Sequence, residues 1–377
     1  MNNQIWVMSS AFPGLSLPEL IDQTKEIGAQ GIEALVFRRE GTRQDHVATH
    51  IDYETFGPGE AQGVIDAFNK AGLKLSIGAY ENLIGGDPAE RKKNQDHLLY
   101  LIRMAALMGG DGNNVKVGTF VGYNHELGIQ DNGFEKNLEE YKNVFTPVVK
   151  YAEDLGVTIM YENCPMEGWK PAATPVTYNN LPATLAARKL MYALIPSKAH
   201  GETYDPSHDI WQYTNPSEVL KASDMSRIHR IHVKGTRLMA NDARINWGGL
   251  YPMQEVNAEL AEKAGVPTCA HEWDRHHYEP MLPGFGGTDS MDWRSFITVL
   301  MEKGYQGPFP IENEAANSKG TGDHGAIVQG FMATILCLIP MIWPMDPGHG
   351  YQYDESKDAP LKDAKKEDIP IVTMDKL

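Results

Sequence analysis

Val157-Thr158-Ile159-Met160-Tyr161-Glu162 is a short, largely apolar run that reads as a strand and ends in a carboxylate. Four other segments have the same form: residues 201–205, 228–232, 309–312 and, more weakly, 31–33 end in Asp205, His232, Glu312 and Glu33. One architecture gathers the C-terminal ends of many parallel strands on a single face, the (β/α)₈ barrel. The sequence therefore predicts such a barrel, with an oxygen-rich site on that face.

Strand-like and helix-like patterns alternate along the chain, which is typical of a parallel α/β fold. Residues 5–9 predict the first strand, and Ser16 is expected to cap the first helix, with Pro18 in its first turn. Four glycines stand where a helix should end before a strand, in the manner of left-handed caps: Gly28, Gly72, Gly156 and Gly304. Eight strands fit this spacing, so a single TIM barrel suits the 377 residues better than two domains.

The predicted barrel domain occupies residues 1–345, with a long insertion at residues 238–281 between strands 7 and 8. A polar C-terminal extension follows at residues 346–377 and could wrap the barrel, join an oligomer or be partly mobile. Loops as long as the insertion are usually functional or part of an interface. The apolar run at residues 331–345 is expected to form a packed helix, because it is short for a bilayer and contains Pro340 and Pro344.

Composition limits the partners of the chain. With 34 basic and 50 acidic residues, the formal net charge is -16, which disfavours nucleic acid as a partner. The three cysteines, Cys164, Cys269 and Cys337, are far apart in sequence, so they indicate neither a disulfide framework nor a CxxC zinc site. No signal peptide is evident at the N-terminus. We therefore expect a cytoplasmic protein that binds neither nucleic acid nor membrane.

Two glutamates, one aspartate and one histidine at strand ends would make a hard divalent-metal site. Such a donor set suits Mn²⁺, Mg²⁺ or Co²⁺, and zinc remains possible. Each residue alone has an ordinary explanation, since a glutamate after a strand is more often a surface or ion-pair residue. His229 and His232 also alternate with isoleucines, as they would in a half-buried strand. The set of four in a barrel-like pattern favours the metal site.

Five motifs extend from these strand ends: Tyr161-Glu162-Asn163-Cys164-Pro165, Tyr204-Asp205-Pro206-Ser207-His208, His229-Arg230-Ile231-His232-Val233-Lys234, Leu282-Pro283-Gly284-Phe285-Gly286 with Asp292-Trp293, and Gly304-Tyr305-Gln306-Gly307 leading to Ile311-Glu312. Together they resemble the sugar phosphate isomerase/epimerase group of xylose-isomerase-like TIM barrels. That group includes ketose 3-epimerases, hydroxypyruvate isomerases and inosose dehydratases. The likeness runs from about Ile5 to the region of Leu338, and its motifs are specific for the superfamily but not for the substrate.

The resemblance implies a divalent cofactor, with Mn²⁺ expected first, and a set of four ligands: Glu162, Asp205, His232 and Glu312. It further implies that substrate oxygens are contacted by His208 and Arg237, and Lys234 is expected to bind substrate as well. Arg237 could equally be a solvated loop charge. The chain departs from the family pattern at Gly235, where an aspartate usually follows the lysine. His125, after the fourth strand, is a further candidate base and substrate contact.

The insertion carries five potential ligands or bases close together: His271, Glu272, Asp274, His276 and His277. They form either a hydrated loop or a lid that delivers a second acid–base group to the barrel mouth. Trp247 and Trp273 in the same insertion could make room for a larger aromatic substrate.

These features predict an isomerase or epimerase that enolises a small-molecule carbohydrate, with Glu162 and Glu312 as both ligands and proton carriers. The alternative is a lyase on a keto-sugar, of the inosose dehydratase type or like the catalytic subunit that cleaves 3-keto C-glycosides. A nuclease resembling endonuclease IV would need a His-rich three-metal site and a basic face, and a non-catalytic binding protein is the general alternative. The absence of a glycine-rich phosphate loop favours an unphosphorylated substrate. The insertion and the tail offer surfaces for a homo-oligomer or a small partner subunit.

Overall fold

The structure is a computed structural model that describes residues 3–41, 49–166, 169, 178–238, 257–266, 278–284, 289–315, 324–343 and 350–377. Within these residues, eight parallel strands form one sheet in the order β10-β1-β2-β3-β4-β5-β6-β7. The strands are β1 (Ile5–Met8), β2 (Gly31–Leu35), β3 (Lys74–Gly78), β4 (Val117–Thr119), β5 (Ile159–Glu162), β6 (His200–Tyr204), β7 (Ile228–Ile231) and β10 (Phe309–Ile311). Almost every strand residue is buried, as expected for a parallel sheet covered on both faces.

The sheet closes on itself through the residues that follow β7. The amide of Val233 donates to the carbonyl of Pro310 at 2.8 Å, and the amide of Glu312 donates to the carbonyl of Val233 at 3.0 Å. On the other side, β10 pairs in parallel with β1, with Ile5 opposite Phe309. The fold is therefore the predicted (β/α)₈ TIM barrel, and its closure places the end of β7 beside the end of β10.

Helices surround this barrel. They are α1 (Leu17–Ile27), α2 (Pro58–Ala71), α3 (Pro88–Leu107), α4 (His125–Gly128), α5 (Gly133–Leu155), α6 (Leu185–Leu194), α7 (Ser207–Trp211), α8 (Pro216–Ala222), α9 (Ala258–Ala264), α10 (Trp293–Glu302), α11 (His324–Ile342) and α12 (Glu355–Asp358).

Local sequence sets the ends of these helices. At the start of α1, the Ser16 amide and hydroxyl both donate to Oε2 of Glu19, at 2.8 and 2.6 Å, which makes Ser16 the predicted N-cap. At its end, Gly28 has φ 88° and lies in the left-handed region, where a side chain would be strained. The chain then turns directly into β2, and this sets the position of Glu33 inside the barrel.

A two-stranded antiparallel hairpin begins directly after Lys234. Its strands are β8 (Gly235–Leu238) and β9 (Tyr278–Met281), with Arg237 opposite Glu279. The predicted insertion at residues 238–281 thus begins at the end of β8 and finishes with β9, the strand that pairs with it. Its histidine-rich stretch at residues 271–277, together with Trp247, lies outside the described residues.

The C-terminal tail lies against the N-terminal ends of the barrel strands and the nearby helices. The Lys74 ammonium at the start of β3 donates to the carbonyl of Ala359. The Asn69 amide group donates to the carbonyl of Leu361 at 2.9 Å, and that of Asn113 to Lys362 at 2.9 Å. Of the three arrangements left open for the tail, the described residues adopt the one that wraps the barrel.

Helix α11 contains residues 331–342 of the apolar run noted in the sequence. Among the described residues it is the one helix long and apolar enough to cross a membrane, with a mean hydropathy of 2.0 over an 18-residue window of which 39% is buried. Phe331, Leu338 and Ile342 on its inner face are buried in the main hydrophobic core. The packing agrees with the expected core helix.

Candidate metal centre

Four side chains converge at the C-terminal face of the barrel. Glu162 is the last residue of β5, while Asp205, His232 and Glu312 directly follow β6, β7 and β10. One ligand atom from each lies within 4.8 Å of the ligand atoms of the other three. Glu162, Asp205 and His232 are buried, and Glu312 is partly so. The structure therefore brings together the four residues that the sequence selected.

The donor atoms fit a divalent cation. Nδ1 of His232 is buried and forms no hydrogen bond among the described residues. Buried polar atoms normally have a partner, so this nitrogen is a position where a cation would complete the site. Three carboxylates and one imidazole are the donor types that Mn²⁺, Mg²⁺, Co²⁺ or Zn²⁺ accept. The arrangement is a candidate site for a divalent metal ion.

His232 is oriented from inside the barrel. Its Nε2 lies 2.9 Å from Oε2 of Glu33, and because a carboxylate only accepts, the hydrogen belongs on Nε2. Its Nδ1 then faces Glu162 Oε1 at 3.5 Å and Glu312 Oε2 at 3.7 Å. A carboxylate behind a ligating histidine fixes its tautomer and ring orientation. Glu33 therefore points the free nitrogen of His232 at the other three candidate ligands.

Glu33 belongs to a buried network that crosses the barrel interior. Arg230 forms an ion pair with Glu33 and also donates to Ser76 Oγ at 2.6 Å. Since β3 and β7 lie on opposite sides of the closed sheet, the guanidinium spans the interior. The Tyr80 hydroxyl donates to Oε1 of Glu33. A side chain at Gly118 would come within 2.5 Å of that hydroxyl, so glycine leaves the space for it.

His208 and Lys234 hold the ligand carboxylates from the outer side. Nε2 of His208 lies 3.1 Å from Oε1 of Glu162 and 3.3 Å from Oδ2 of Asp205. The Lys234 ammonium lies 3.2 Å from Asp205 Oδ2, 2.9 Å from Glu312 Oε2 and 3.1 Å from Oε2 of Glu314. Both cations were expected to bind substrate, and the structure places them in direct contact with the candidate ligands.

The surroundings of the cluster shift the pKa values of its two glutamates in opposite directions. Burial raises the pKa of Glu162, but the charges and hydrogen bonds of His232 and His208 outweigh it and hold the pKa well below its ordinary value. Burial raises the pKa of Glu312 to about 7, although Lys234 opposes the shift. Burial lowers the pKa of His232, yet Glu33 and Glu162 raise it to about 10. A pKa this high places a proton on Nδ1 as well as on Nε2, and a cation that binds at Nδ1 has to displace that proton.

Two other predicted substrate contacts lie in different surroundings. Arg237 is on β8 and forms an ion pair with Glu279 across the hairpin. His125 begins α4, and its Nε2 lies 2.8 Å from Oδ1 of Asn179. Both residues follow the ends of barrel strands. The five acidic and histidine residues at 271–277 lie outside the described part of the chain.

Several residues of the site were not identified from the sequence. In the sequence, Glu33 is only a weak strand ending. Its ion pair with Arg230 could not be predicted, because β2 and β7 come together only in the closed barrel. Glu314, which is two residues after Glu312 in the sequence, contacts Lys234. Trp211 lies against His208 with ring centroids 4.3 Å apart. One signal for Glu33 was its position in a strand-like run, where successive side chains point to opposite faces of the sheet.

The fold and the site define a TIM barrel with a candidate divalent-metal centre at the C-terminal face of its strands. The profile of the xylose isomerase-like TIM barrel family matches residues 21–331. The chain therefore belongs to that family. No curated protein matches the sequence.

Solved structures with the same fold include three that illustrate its range. The IolI protein with a bound zinc atom is 14% identical, with a TM-score of 0.60 and coverage of 91% of this chain and 100% of that one. D-psicose 3-epimerase from Clostridium cellulolyticum H10 is 12% identical, with a TM-score of 0.56 and coverage of 90% and 99%. The 3-keto-D-glucoside 4-epimerase from E. coli is 14% identical, with a TM-score of 0.55 and coverage of 89% and 98%. At these identities the likeness establishes the fold alone.

Proposed function

We propose that this chain is a divalent-metal-dependent isomerase or epimerase that acts on a sugar or keto-sugar through an enolate. The observation that carries the proposal is the convergence of Glu162, Asp205, His232 and Glu312 within 4.8 Å at the barrel mouth. These four residues would hold the ion, and Mn²⁺ suits their oxygen-rich set best. The bound ion supplies a Lewis acid that polarises a substrate carbonyl or hydroxyl oxygen.

The proposed proton carriers are Glu162 and Glu312, which enter the site from different strands. A carboxylate oxygen of one takes the proton from the carbon next to the carbonyl, and the electrons of the broken C–H bond form the enolate. Return of a proton to the opposite face of the same carbon gives an epimer. Return of a proton to the former carbonyl carbon gives an isomer, provided that the hydroxyl proton on the first carbon passes to the former carbonyl oxygen, so that the carbonyl group moves by one carbon. Positioned acid–base groups of this kind contribute about 10²–10⁴-fold each.

His208 and Lys234 would keep this machinery in place. The contact of His208 with both Glu162 and Asp205 fixes two candidate ligands relative to each other. Lys234 does the same for Asp205 and Glu312. As buried cations, both could also meet a substrate oxygen that enters between them. Substrate contacts by His125 and Arg237 remain part of the proposal.

A lyase acting on a keto-sugar is the second candidate, and a row of aromatic rings favours it. The Tyr80 ring is 6.3 Å from that of His232, Phe120 is 5.0 Å from Tyr80, and Trp169 is 5.5 Å from Phe120. The row leads from a candidate ligand to the loop after β5. Tyr80 and Phe120 are buried, whereas Trp169 at the end of the row is partly exposed. The Trp169 ring is therefore the one that could contact an aromatic leaving group while the enolate expels it by β-elimination.

Relatives by fold support a carbohydrate substrate. Their names include D-psicose and L-ribulose 3-epimerases, a 3-keto-D-glucoside 4-epimerase and a probable 3-DHS dehydratase. The first three match the isomerase or epimerase proposal, and the fourth matches the lyase alternative. Cys164 and Cys337 are free thiols in the described part of the chain, which supports the proposed cytoplasmic location.

The test is to incubate the Mn²⁺-loaded enzyme in D₂O with ketoses, inososes and 3-keto glycosides. After the reaction the paramagnetic ion is removed by chelation, and the products are analysed by proton NMR. Deuterium at the carbon next to the carbonyl, with the carbon skeleton intact, supports the isomerase or epimerase. Loss of water or of an aglycone supports the lyase. A metal-loaded protein that exchanges no proton on any of these compounds would contradict the proposed substrate class.

A further inference from the structure

Trp211, the last residue of α7, lies between the β8–β9 hairpin and the candidate metal centre. It is 4% exposed and has aromatic or polar partners on both sides. Sequence patterns give it no role. Its position nevertheless links an insertion of this chain to the residues that hold those ligands.

On the hairpin side, Trp211 is fixed by two contacts. Its ring stacks on that of Tyr278 from β9, with centroids 3.8 Å apart and planes 12° from parallel. Its Nε1 donates to Oγ1 of Thr236 from β8 at 2.7 Å. One strand of the hairpin thus sets the plane of the indole, and the other sets its rotation within that plane.

On the site side, Trp211 confines the two cations that hold the ligand carboxylates. The His208 ring meets it edge-on, with centroids 4.3 Å apart and planes at 75°. The Lys234 ammonium lies 5.2 Å from the centre of the Trp211 ring, within reach of a cation–π interaction. His208 and Lys234 are both buried, as are Tyr278 and Thr236, so a tilt of the indole has to displace at least one of them.

We infer that Trp211 is a positioning residue through which the β8–β9 hairpin sets the geometry of the metal centre. The stack on Tyr278 keeps the indole against His208 and Lys234. These two side chains in turn hold Glu162, Asp205 and Glu312 in place for a cation. The inference rests on the proposed metal centre, and it adds that the hairpin is part of the apparatus for metal binding.

The test is calorimetric titration of the full-length, metal-free protein with Mn²⁺ and with Zn²⁺. Tyr278→Leu removes the stacked ring and keeps an apolar side chain, and we expect it to weaken metal binding about 10-fold, the scale of a lost outer contact of a metal site. Tyr278→Phe keeps the ring and should bind as the wild type does. The Trp211 indole N–H resonance should move in Tyr278→Leu and stay in Tyr278→Phe.

Ser290→Ala is the matched control, because it removes the hydroxyl that accepts from the Leu238 amide at 3.0 Å and leaves both hairpin contacts of Trp211 in place. It should bind metal as the wild type does. Equal affinity in Tyr278→Leu and wild type would overturn the inference, and so would equal losses in the Leu and Phe variants. If Tyr278→Leu does not fold, Thr236→Val, which removes the acceptor of the indole N–H, takes its place with the same expectation. A wild-type protein that binds neither ion would instead overturn the metal centre itself.

Discussion

Nε2 of His232 lies 2.9 Å from Oε2 of Glu33, while Nδ1 of the same ring faces the carboxylates of Glu162 and Glu312. One imidazole therefore joins the polar interior of the barrel to the cluster at its mouth. The tautomer that this geometry requires is the one that leaves Nδ1 free to bind a cation. The interior network of Glu33 and Arg230 consequently supports the site as well as the fold.

Replacement of Glu33 by Gln should weaken divalent-metal binding about 10–100-fold, the effect typical of a lost partner behind a ligating histidine. The variant also leaves Arg230 buried without its counter-charge, which should cost about 3–5 kcal/mol of folding free energy. Calorimetric metal titration and urea unfolding measure the two effects separately.

Ser76→Ala is the control for this change, since it removes a partner of Arg230 but leaves Glu33 and His232 paired. It should bind metal with near wild-type affinity. If Glu33→Gln does not fold, the double variant Glu33→Gln/Arg230→Gln removes both buried charges and retains the prediction. Wild-type metal affinity in a folded Glu33 variant would show that His232 needs no support from inside the barrel.

Glu162→Gln and Glu312→Gln should each lower the rate of proton exchange by about 10²–10⁴-fold, because each change removes a proposed proton carrier. Glu314→Gln, two residues beyond Glu312, keeps both carriers and should lose much less. Single-turnover exchange in D₂O with saturating Mn²⁺ separates this effect from weaker metal binding. Normal turnover in either of the first two variants would remove that glutamate from the mechanism.

Two buried histidines, His97 and His200, should each lower the free energy of unfolding as the pH drops from about 6.5 towards 4, because they resist protonation in the folded protein. Burial lowers the pKa of His97 and of His200 to about 4 in the folded protein, whereas an unfolded histidine titrates near 6.5. In this interval the unfolded chain binds more protons, so acid favours it by up to about 3 kcal/mol per histidine.

Urea unfolding at pH 7.0, 5.5 and 4.5 measures this dependence. His97→Gln keeps a donor for the Val36 carbonyl, which lies 2.7 Å from Nε2 of His97, and removes one titrating group. Its stability should therefore decline less steeply with acid than that of the wild type. If the free energy of unfolding changed with pH in the same way in the two proteins, His97 would not contribute to the pH dependence of stability.

Arg103→Met should loosen the C-terminal tail. The buried guanidinium donates to the carbonyls of Ile369 and of Phe56 and forms an ion pair with Asp368, so its loss should cost about 2–3 kcal/mol. Limited proteolysis should then cut the tail faster, while metal binding at the opposite face stays unchanged. Lys92→Met, which removes an exposed ion pair with Asp375, should change proteolysis little. Equal cutting of the two variants would contradict a special role for Arg103.

The barrel and its four-residue cluster were accessible from sequence because both depend on local signals. Each candidate ligand ends or follows a strand-like run, and closure of the barrel brings strand ends together whatever the loops do. Gly28 likewise marked the end of α1 by a conformation that glycine adopts without strain. The barrel strands, the candidate ligands and the end of α1 could therefore be predicted from residues that are close together in the sequence.

The remaining parts of the site depend on contacts between distant segments. Arg230 reaches Glu33 and Ser76 only across the closed barrel, and Trp211 meets Tyr278 only after the hairpin has folded back. Lys234 is predicted to bind substrate, and its contacts with three carboxylates could not be predicted from the sequence. A single sequence carries no periodic pattern that would predict such pairs.

Barrel closure also affects how the chain can fold during synthesis. β1 leaves the ribosome first, but β10, which pairs with one of its edges, is made about 300 residues later. At about 5–20 residues per second, that edge waits about 15–60 s for its partner. An unpaired strand edge is a template for association with other chains. Nascent copies of this protein should therefore depend on chaperones that shield the N-terminal strand until translation is nearly complete.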